Sequence, residues 1–233
     1  MAAVTPRVGV CSFGRTGSQR CPNKMLRPFG ETTLTDLVLE KLAQVRAQTG
    51  TDVFFAGWEP AFRVKCAQHG VPFVQREARS AQVDEPITEI LSFLREVPHT
   101  HLLLINGCLP FLRTETIAAF LRQCLLPAPQ PAFAVLRRAN YFMTLDRQPL
   151  NFDPGAKTLN TKTVRPVYEF AHALYFFERD YFFREGTYWD WQTVRLIEMP
   201  GGLEARDIDT EEDFQSAAGA WRARTTAPAL ARS

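Results

Sequence analysis

Short apolar runs alternate with segments of helical spacing through the first half of the chain. The runs are typical of buried strands and cover residues 8–13, 52–56, 71–74, 102–105 and 132–136. Helical spacing covers residues 34–42, 60–69 and 84–97, and another helix begins at residue 114. We expect Thr32 or Thr33 to cap the first helix and Asp84 to cap the third. This β-α alternation predicts a three-layer α/β fold, with a mostly parallel sheet covered by helices on both faces.

The pattern breaks between residues 137 and 170. This segment is polar, contains Asn, Asp, Gly and Pro, and has no helical period. It is too long for an ordinary loop inside a compact domain, so we expect it to form an extension with its own role. Strand-like alternation resumes at residues 171–177, and a last strand is predicted over residues 194–199. The predicted organisation is one domain over residues 1–222 that contains this extension, followed by a flexible tail over residues 223–233.

The composition is that of an ordinary globular protein. Of 233 residues, 45% are hydrophobic and 22% are charged, and the formal net charge is +2. This charge does not suggest a nucleic-acid surface, and no apolar window has membrane-spanning length. The five cysteines are scattered without a Cys-x-x-Cys pair, which favours reduced thiols in a cytoplasmic protein. His99 and His101 lack further metal ligands nearby in the sequence, so we interpret them as surface residues.

The loop after the first strand has the strongest functional signal. It contains three cations, Arg15, Arg20 and Lys24, together with Gly14 and Gly17, which would permit backbone conformations closed to other residues. Ligands of open α/β sheets bind beyond the carboxyl ends of the strands. Cations and peptide N–H groups at that place suit a nucleoside triphosphate. A methionine follows Lys24, so this is not a Walker A loop. The alternative is an ordinary strand-to-helix turn with solvated cations.

A second candidate site is the acidic run near the end of the chain. Asp207 and Asp209 stand two residues apart, so in an extended segment both carboxylates point to one side while Ile208 faces the core. Mg²⁺ commonly binds one or two carboxylates together with substrate phosphates. Thr210 with Asp213 predicts the start of a helix. The alternative is that these acids only decorate the N-terminus of that helix, where negative charge is favourable.

Both motifs resemble signatures of the sugar-activating cytidylyltransferases. Six residues of the loop fall on fixed positions of the family pattern A-R-x-G-S-x-R-x-P-x-K-N: Arg15, Gly17, Ser18, Arg20, Pro22 and Lys24. Gly14 replaces the alanine and Met25 replaces the asparagine. The acidic run resembles the D-I-D-T-x-x-D-F ending of enzymes that make CMP-sialic acids. The resemblance implies a Rossmann-like, GT-A-like nucleotidyltransferase that transfers CMP from CTP to an acidic sugar and releases pyrophosphate.

The resemblance also implies roles for individual residues. The nucleotide-binding residues in the loop would be Gly14, Arg15, Gly17, Ser18, Arg20 and Lys24. The catalytic residues would be Arg15, Lys24, Asp207 and Asp209, the two aspartates as ligands of Mg²⁺.

Weaker matches lie between the two motifs. Arg76 and Ser80 stand where the family has a nucleotide-contacting R-P-x-x-x-S/D segment. Three further residues stand near the family's sugar-contacting positions: Asn106, Tyr168 and His172. His172 replaces an asparagine of the family pattern, and it is alternatively a hydrogen-bonded histidine on a strand. Cys108 is interpreted as a packed small residue because no partnering histidine is evident.

In the resembling family, the segment equivalent to residues 137–170 pairs across a two-fold axis, which implies a homodimer. Its apolar contacts would be Phe142, Leu150, Phe152 and Leu159. Three alternatives remain open. The acceptor could be a Kdo-like sugar or a phosphonate. The chain could instead be a GT-A glycosyltransferase. Finally, the departures at Met25, Asn106 and His172 could mark a non-catalytic relative that acts as a binding subunit.

Overall fold

The protein folds around one seven-stranded sheet in a computed structural model that describes residues 6–81, 85–158 and 160–226. The strands are β1 Val8–Phe13, β2 Asp52–Gly57, β3 Phe73–Gln75, β4 His101–Ile105, β5 Ala132–Arg138, β6 Val167–Glu178 and β7 Arg195–Glu198. Their order is β3-β2-β1-β4-β6-β5-β7. Neighbouring strands pair in parallel, except that β6 runs antiparallel to β4 and β5. The prediction of a mostly parallel sheet is confirmed.

Six α-helices connect or follow these strands in the described part of the chain. They are α1 Leu34–Thr49, α2 Pro60–Gln68, α3 Ile87–Ile90, α4 Thr114–Leu125, α5 Arg179–Glu185 and α6 Glu211–Thr226. Thr33 caps α1, since its hydroxyl accepts a hydrogen bond from the Asp36 N–H at 3.1 Å. α6 continues past residue 222, where the domain was predicted to end. The predicted cap Asp84 and residues 227–233 of the predicted tail lie outside the described residues. Within those ranges, no helix is long and apolar enough to cross a bilayer.

The helix predicted over residues 84–97 is only partly formed. It is divided into the short α3 and a 3₁₀ turn at Ser92–Arg95. The Ile90 carbonyl, which would accept the Leu94 N–H in a continuous α-helix, instead accepts a hydrogen bond from the Arg76 guanidinium at 3.1 Å. The Leu94 N–H turns to the Leu91 carbonyl at 2.9 Å. A long-range contact that periodicity does not reveal therefore accompanies the break in this helix.

The core lies in two clusters on opposite faces of the sheet. Val10 of β1 belongs to one cluster and Cys11 to the other, as the alternation of side chains along a strand requires. The first cluster packs α1, α2, α4 and α6 against the sheet, and the second packs the segment around Leu91, α5 and Trp189. Helices on both faces confirm the predicted three-layer architecture.

The extension is shorter than its predicted span of residues 137–170, because β5 continues to Arg138 and β6 begins at Val167. Its irregular chain is held by the buried amide of Asn151. This amide donates to the carbonyls of Asn140 at 2.7 Å and Arg165 at 2.8 Å. Leu159, one of its four predicted apolar contacts, lies outside the described residues.

The prediction of a surface position is wrong for His99. Its side chain is buried, and its ring stacks on Phe54 with 5.6 Å between the ring centroids. A Cβ on Gly9 would lie 2.7 Å from this ring, so the imidazole fills the space above a glycine. His101 is half-buried and stacks on Phe176.

Candidate functional site

A cavity of about 480 Å³ lies at the carboxyl ends of β1 and β4, where the fold predicts a ligand site. The loop after β1 contributes Gly14, Arg15, Ser18, Gln19, Arg20, Lys24 and Met25 to its lining. The loop after β4 contributes Asn106, Gly107 and Cys108, and the acidic segment contributes Asp209. We call this cavity the cleft. Both predicted motifs therefore meet in one place.

A larger cavity, of about 650 Å³, lies between α1, the start of α4 and α6. Neither motif lines it. Its wall contains Lys41, whose ammonium donates to the carbonyls of Leu109 and Pro110 at 2.8 and 2.9 Å. Burial lowers the pKa of Lys41 to about 7. We take the smaller cleft as the candidate site because it is the one that collects the charged motifs.

Direct contacts join the cationic loop to the acidic segment across the mouth of the cleft. The Arg20 guanidinium donates to Asp209 Oδ1 at 2.9 Å. Lys24 Nζ donates to the Ile208 carbonyl and lies 4.0 Å from Asp209 Oδ1. The Lys24 side chain is 13% exposed and that of Arg20 is 67% exposed. Lys24 is thus fixed in the wall, whereas Arg20 lies at the rim.

The two glycines of the loop do not play the predicted conformational role. Neither Gly14 nor Gly17 has a positive φ. Gly14 is required for packing instead, since a Cβ there would lie 2.8 Å from the ring of Phe62. A Cβ on Gly17 would meet nothing within 4 Å, and Gly17 does not line the cleft. The left-handed residue in this loop is Asn23, with φ 54°.

The loop is held in shape by contacts of its own backbone. The Thr16 N–H donates to Glu59 Oε1 at 2.8 Å, and the Thr16 carbonyl accepts the Asn23 N–H at 3.0 Å. Ser18 lines the cleft, and its hydroxyl accepts from the Cys21 N–H at 3.4 Å. These contacts fix the path of the chain between Arg15 and Lys24.

The two aspartates of the acidic segment have different surroundings. Asp207 Oδ2 accepts a hydrogen bond from the Asn106 amide at 3.0 Å, while its Oδ1 is buried and has no partner among the described residues. Burial and the neighbouring Asp209 carboxylate both raise the pKa of Asp207. Ile208, between the two aspartates, is fully buried, as predicted. Its N–H donates to the Cys108 carbonyl at 3.1 Å.

The acids that follow this pair serve the start of α6. The Thr210 hydroxyl accepts the Asp213 N–H at 3.2 Å, and Asp213 Oδ2 accepts the Thr210 N–H at 2.8 Å. This reciprocal pair confirms the predicted helix start. Glu211 pairs with Arg27 at 2.7 Å, and that contact holds the pKa of Glu211 down at about 2. Glu211 and Asp213 therefore stabilise the N-terminus of α6, which is the alternative given above for the acidic run.

Arg76 and Ser80 do not contact the cleft, contrary to the nucleotide-binding role expected for them. The Arg76 side chain is buried, and its guanidinium donates to the carbonyls of Gly14 at 3.0 Å, Ile90 at 3.1 Å and Ser80. It also lies over the ring of Phe13, 4.8 Å from the centroid. The hydroxyl of the buried Ser80 donates to the Glu77 carbonyl. Arg76 therefore braces the walls of the cleft from behind, since its two terminal guanidinium nitrogens donate to main-chain carbonyls and not to the cleft.

The three expected sugar contacts separate in the structure. Asn106 lines the cleft. His172 lies beside it: its carbonyl accepts from the Asn106 amide at 3.0 Å, and its ring Nδ1 lies 3.0 Å from the hydroxyl of Tyr175. Tyr168 donates to Glu198 of β7 at 2.8 Å and does not line the cleft. Its position near the outer edge of the sheet removes Tyr168 from the candidate site.

Residues 14–183 match the sequence profile of the MobA-like NTP transferase domain. The chain belongs to this family of nucleotidyltransferases. The matched range includes the loop after β1 and most of the sheet and ends before Asp207, so the acidic segment lies outside it. No curated protein matches the chain.

Solved structures with the same fold cover nearly the whole NTP transferase. A CMP:2-keto-3-deoxy-manno-octonic acid synthetase complexed with CTP has a TM-score of 0.68 at 14% identity, covering 94% of this chain and 99% of its own. The 4-diphosphocytidyl-2C-methyl-D-erythritol synthase of Anaerococcus prevotii has a TM-score of 0.63 at 11% identity, covering 93% and 96%. A cytidylyltransferase of Leptospira borgpetersenii has a TM-score of 0.56 at 16% identity, covering 92% and 86%. At these sequence identities, the similarity establishes a shared fold.

One wall of this NTP transferase's cleft was not foreseen from the sequence. It is apolar and is formed by Phe13, Ile87, Ile90, Leu104, Tyr175 and Tyr188. Tyr175 and Tyr188 are in ring contact, with 5.2 Å between centroids. Tyr175 lies on the strand predicted over residues 171–177, but nothing in the sequence singled out Tyr188. Cys108 lines the same cleft, and burial raises the pKa of its thiol to about 11, so this thiol is protonated at neutral pH.

Proposed function

We propose that this NTP transferase transfers CMP from CTP to a hydroxyl of an acidic sugar and releases pyrophosphate. The observation that carries the proposal is the meeting of the cationic loop with the acidic segment in one cleft, where Arg20 and Lys24 lie against Asp209. A nucleotidyl transfer needs both charges there, cations for the triphosphate and carboxylates for a divalent metal.

The nucleotide is assigned to the cationic side of the cleft. Arg15, Arg20 and Lys24 supply the positive charge, and Gly14 and Ser18 bring backbone close to it. CTP is preferred over other triphosphates because the loop resembles the cytidylyltransferase signature, and two of the fold neighbours named above are described as enzymes that make or bind cytidine nucleotides.

The carboxylate pair fits a magnesium ion. Asp207 Oδ1 is a buried oxygen that has no partner in the described part of the chain, and Asp209 lies near enough to raise the pKa of Asp207. Two carboxylates with substrate phosphates form a usual Mg²⁺ site, and the described residues offer no cluster of three or more acidic, histidine or cysteine ligands as an alternative. We assign Asp207 and Asp209 as the ligands. When bound, Mg²⁺ would neutralise phosphate charge and help to orient the reactants.

The protein's own contribution to catalysis is positioning. In-line transfer at the α-phosphate depends mainly on orientation and on neutralising charge. Lys24 is anchored to the Ile208 carbonyl, so a triphosphate bound by Lys24 would be held beside the acidic segment. Each charge-assisted hydrogen bond from the loop would contribute about 1.5–3 kcal/mol.

The acceptor is the finer part of the proposal. A sialic-acid-like sugar follows from the sequence motifs, and a Kdo-like sugar fits the same geometry. Kdo gains support from the fold neighbour, which is described as a CMP:2-keto-3-deoxy-manno-octonic acid synthetase. Asn106 and His172 lie on the side of the cleft nearest Asp207, and we place the acceptor there.

We further propose that the protein acts as a cytoplasmic homodimer joined through the extension. Met143, Leu145 and Leu150 expose 51%, 106% and 61% of their surface. Phe152 packs on Tyr141 inside the extension instead, with ring centroids 5.1 Å apart. An interface on the three exposed side chains would remove them from water.

Pyrophosphate release tests the proposed activity. Each of the four ribonucleoside triphosphates is incubated with Mg²⁺ and either N-acetylneuraminate or Kdo. We expect release with CTP and one of these acids, and loss of release in Asp209→Asn. Lys162→Ala, in the extension, is the matched surface control. Release with GTP or UTP but not with CTP would contradict the assignment of the nucleotide.

A further inference from the structure

The side-chain amide of Asn106 joins three segments that meet at the cleft. Its Nδ2 donates one hydrogen bond to Asp207 Oδ2 and one to the His172 carbonyl, both at 3.0 Å. Its Oδ1 accepts the Cys108 N–H at 2.9 Å. Both N–H bonds of the amide are therefore used inside the protein, and Asn106 has no donor left for a sugar hydroxyl.

The hydrogen bond to Asp207 distinguishes the two oxygens of that carboxylate. Oδ2 is fixed by the amide, while Oδ1 is buried without any partner in the described ranges. A buried carboxylate oxygen without a partner is costly unless a donor or a cation completes it. The Asn106 amide therefore fixes the rotation of the Asp207 carboxylate and leaves Oδ1 available for a donor or a cation.

The second acceptor of the amide is held by an unusual backbone. His172 has φ 48°, in the left-handed region, inside strand β6. The pairing of β5 with β6 jumps there, from Phe133 opposite Tyr175 to Val135 opposite Phe170. Bulges of this kind redirect backbone groups and cluster at functional sites. This bulge directs the His172 carbonyl at Asn106, so the amide is anchored from the sheet as well as from its own loop.

We infer that Asn106 is a positioning residue that orients Asp207 for a divalent cation, and that its amide does not donate a hydrogen bond to the sugar. The inference rests on the proposed metal site of the function above. Partners that hold metal ligands in place are worth 10- to 100-fold in metal affinity when removed. Asn106 acts through the Asp207 carboxylate, so its loss should weaken metal binding more than nucleotide binding.

The test measures binding of Mn²⁺ alone to the whole protein, by electron paramagnetic resonance of the free ion. In Asn106→Ala we expect the Kd for Mn²⁺ to rise by about 10-fold or more. Asn151→Ala is the matched control, since it also removes a buried amide that donates to two carbonyls, but far from the metal ligands along the chain. We expect it to keep the wild-type Kd. A Kd for Asn106→Ala within about twofold of wild type overturns the inference.

A second variant and a second measurement guard against misfolding. Asn106→Leu keeps the same number and branching of side-chain heavy atoms but removes the amide, and it should weaken Mn²⁺ binding as the alanine variant does. In the wild-type protein, the Asn106 side-chain NH₂ resonances should shift on addition of Mg²⁺, and their failure to shift would overturn the inference without any variant.

Nucleotide binding is measured separately by calorimetry with CTP in EDTA. CTP binding by a wild-type protein that binds no Mn²⁺ would refute the metal site and this inference, and leave the nucleotide assignment standing. Conversely, absence of CTP binding both in EDTA and with added Mg²⁺ refutes the proposed function, while the role of Asn106 is still decided by the Mn²⁺ titration.

Discussion

Replacing Arg76 with methionine removes the guanidinium that braces the cleft. The change keeps much of the aliphatic side chain but leaves the carbonyls of Gly14, Ser80 and Ile90 without their donor. Gly14 and Ile90 both line the cleft, on different segments. The variant therefore tests whether one buried cation ties these two walls together.

The expected loss of stability follows from two opposing terms. Three hydrogen bonds from a charged donor contribute about 1.5–3 kcal/mol each, or about 4–9 kcal/mol together. Burial of the guanidinium opposes this: it lowers the pKa of Arg76 to about 10, which corresponds to a penalty of about 3 kcal/mol. The balance is a destabilisation of about 3 kcal/mol, or a fall in Tm of about 6–12 °C for a domain of this size.

Urea and thermal unfolding, followed by circular dichroism, measure this loss. Arg79→Met is the matched control, because the Arg79 side chain is 66% exposed and pairs with Glu85. This change should alter stability by less than about 0.5 kcal/mol. Equal unfolding midpoints for Arg76→Met and wild type would refute the argument that the guanidinium is a structural brace.

Three further predictions concern the cleft, the second cavity and the extension. Lys24→Ala should weaken CTP binding by about 10- to 100-fold in calorimetry, with Lys162→Ala unchanged. Lys41 is uncharged in the fold above about pH 7, whereas the unfolded chain keeps its proton up to about pH 10. Its contribution to stability therefore rises with pH across this window, and Lys41→Met should remove that rise from urea titrations made at several pH values. Leu145→Glu should convert a dimer to a monomer in light scattering; wild-type protein that is already monomeric would contradict the dimer.

Much of the fold could be predicted from the sequence because most strands are short buried runs separated by helical periods. β1, β2, β4 and β5 lie where the apolar pattern places them, within a few residues. The antiparallel direction of β6 was not foreseen, since the apolar pattern of a buried strand does not encode its direction. The break that follows α3 at Ile90 also escaped prediction. It lies where the Arg76 guanidinium, which belongs to the segment after β3, donates to the Ile90 carbonyl.

The charged part of the site was predictable for a similar reason. The two motifs that supply it are short charged segments that can be recognised in the sequence, and the topology brings them together at Arg20, Lys24 and Asp209. Pattern matching failed where it had to distinguish a ligand contact from an internal one. Arg76 and Tyr168 carry suitable groups, but those groups are bound to main-chain carbonyls and to Glu198, and only three-dimensional contacts reveal this.

The left-handed backbone at His172 has a consequence for variation at the edge of the cleft. A residue with φ 48° is acceptable as glycine, asparagine, aspartate or histidine, and unfavourable as valine, isoleucine or another β-branched residue. The bulge thus acts as a conformational filter that any substitution must pass before its chemistry matters. Histidine here and asparagine in the resembling cytidylyltransferase pattern both belong to the few residue types that tolerate this backbone conformation. A change from an amide to an imidazole beside the cleft is therefore open to the protein without rebuilding the strand that supports it.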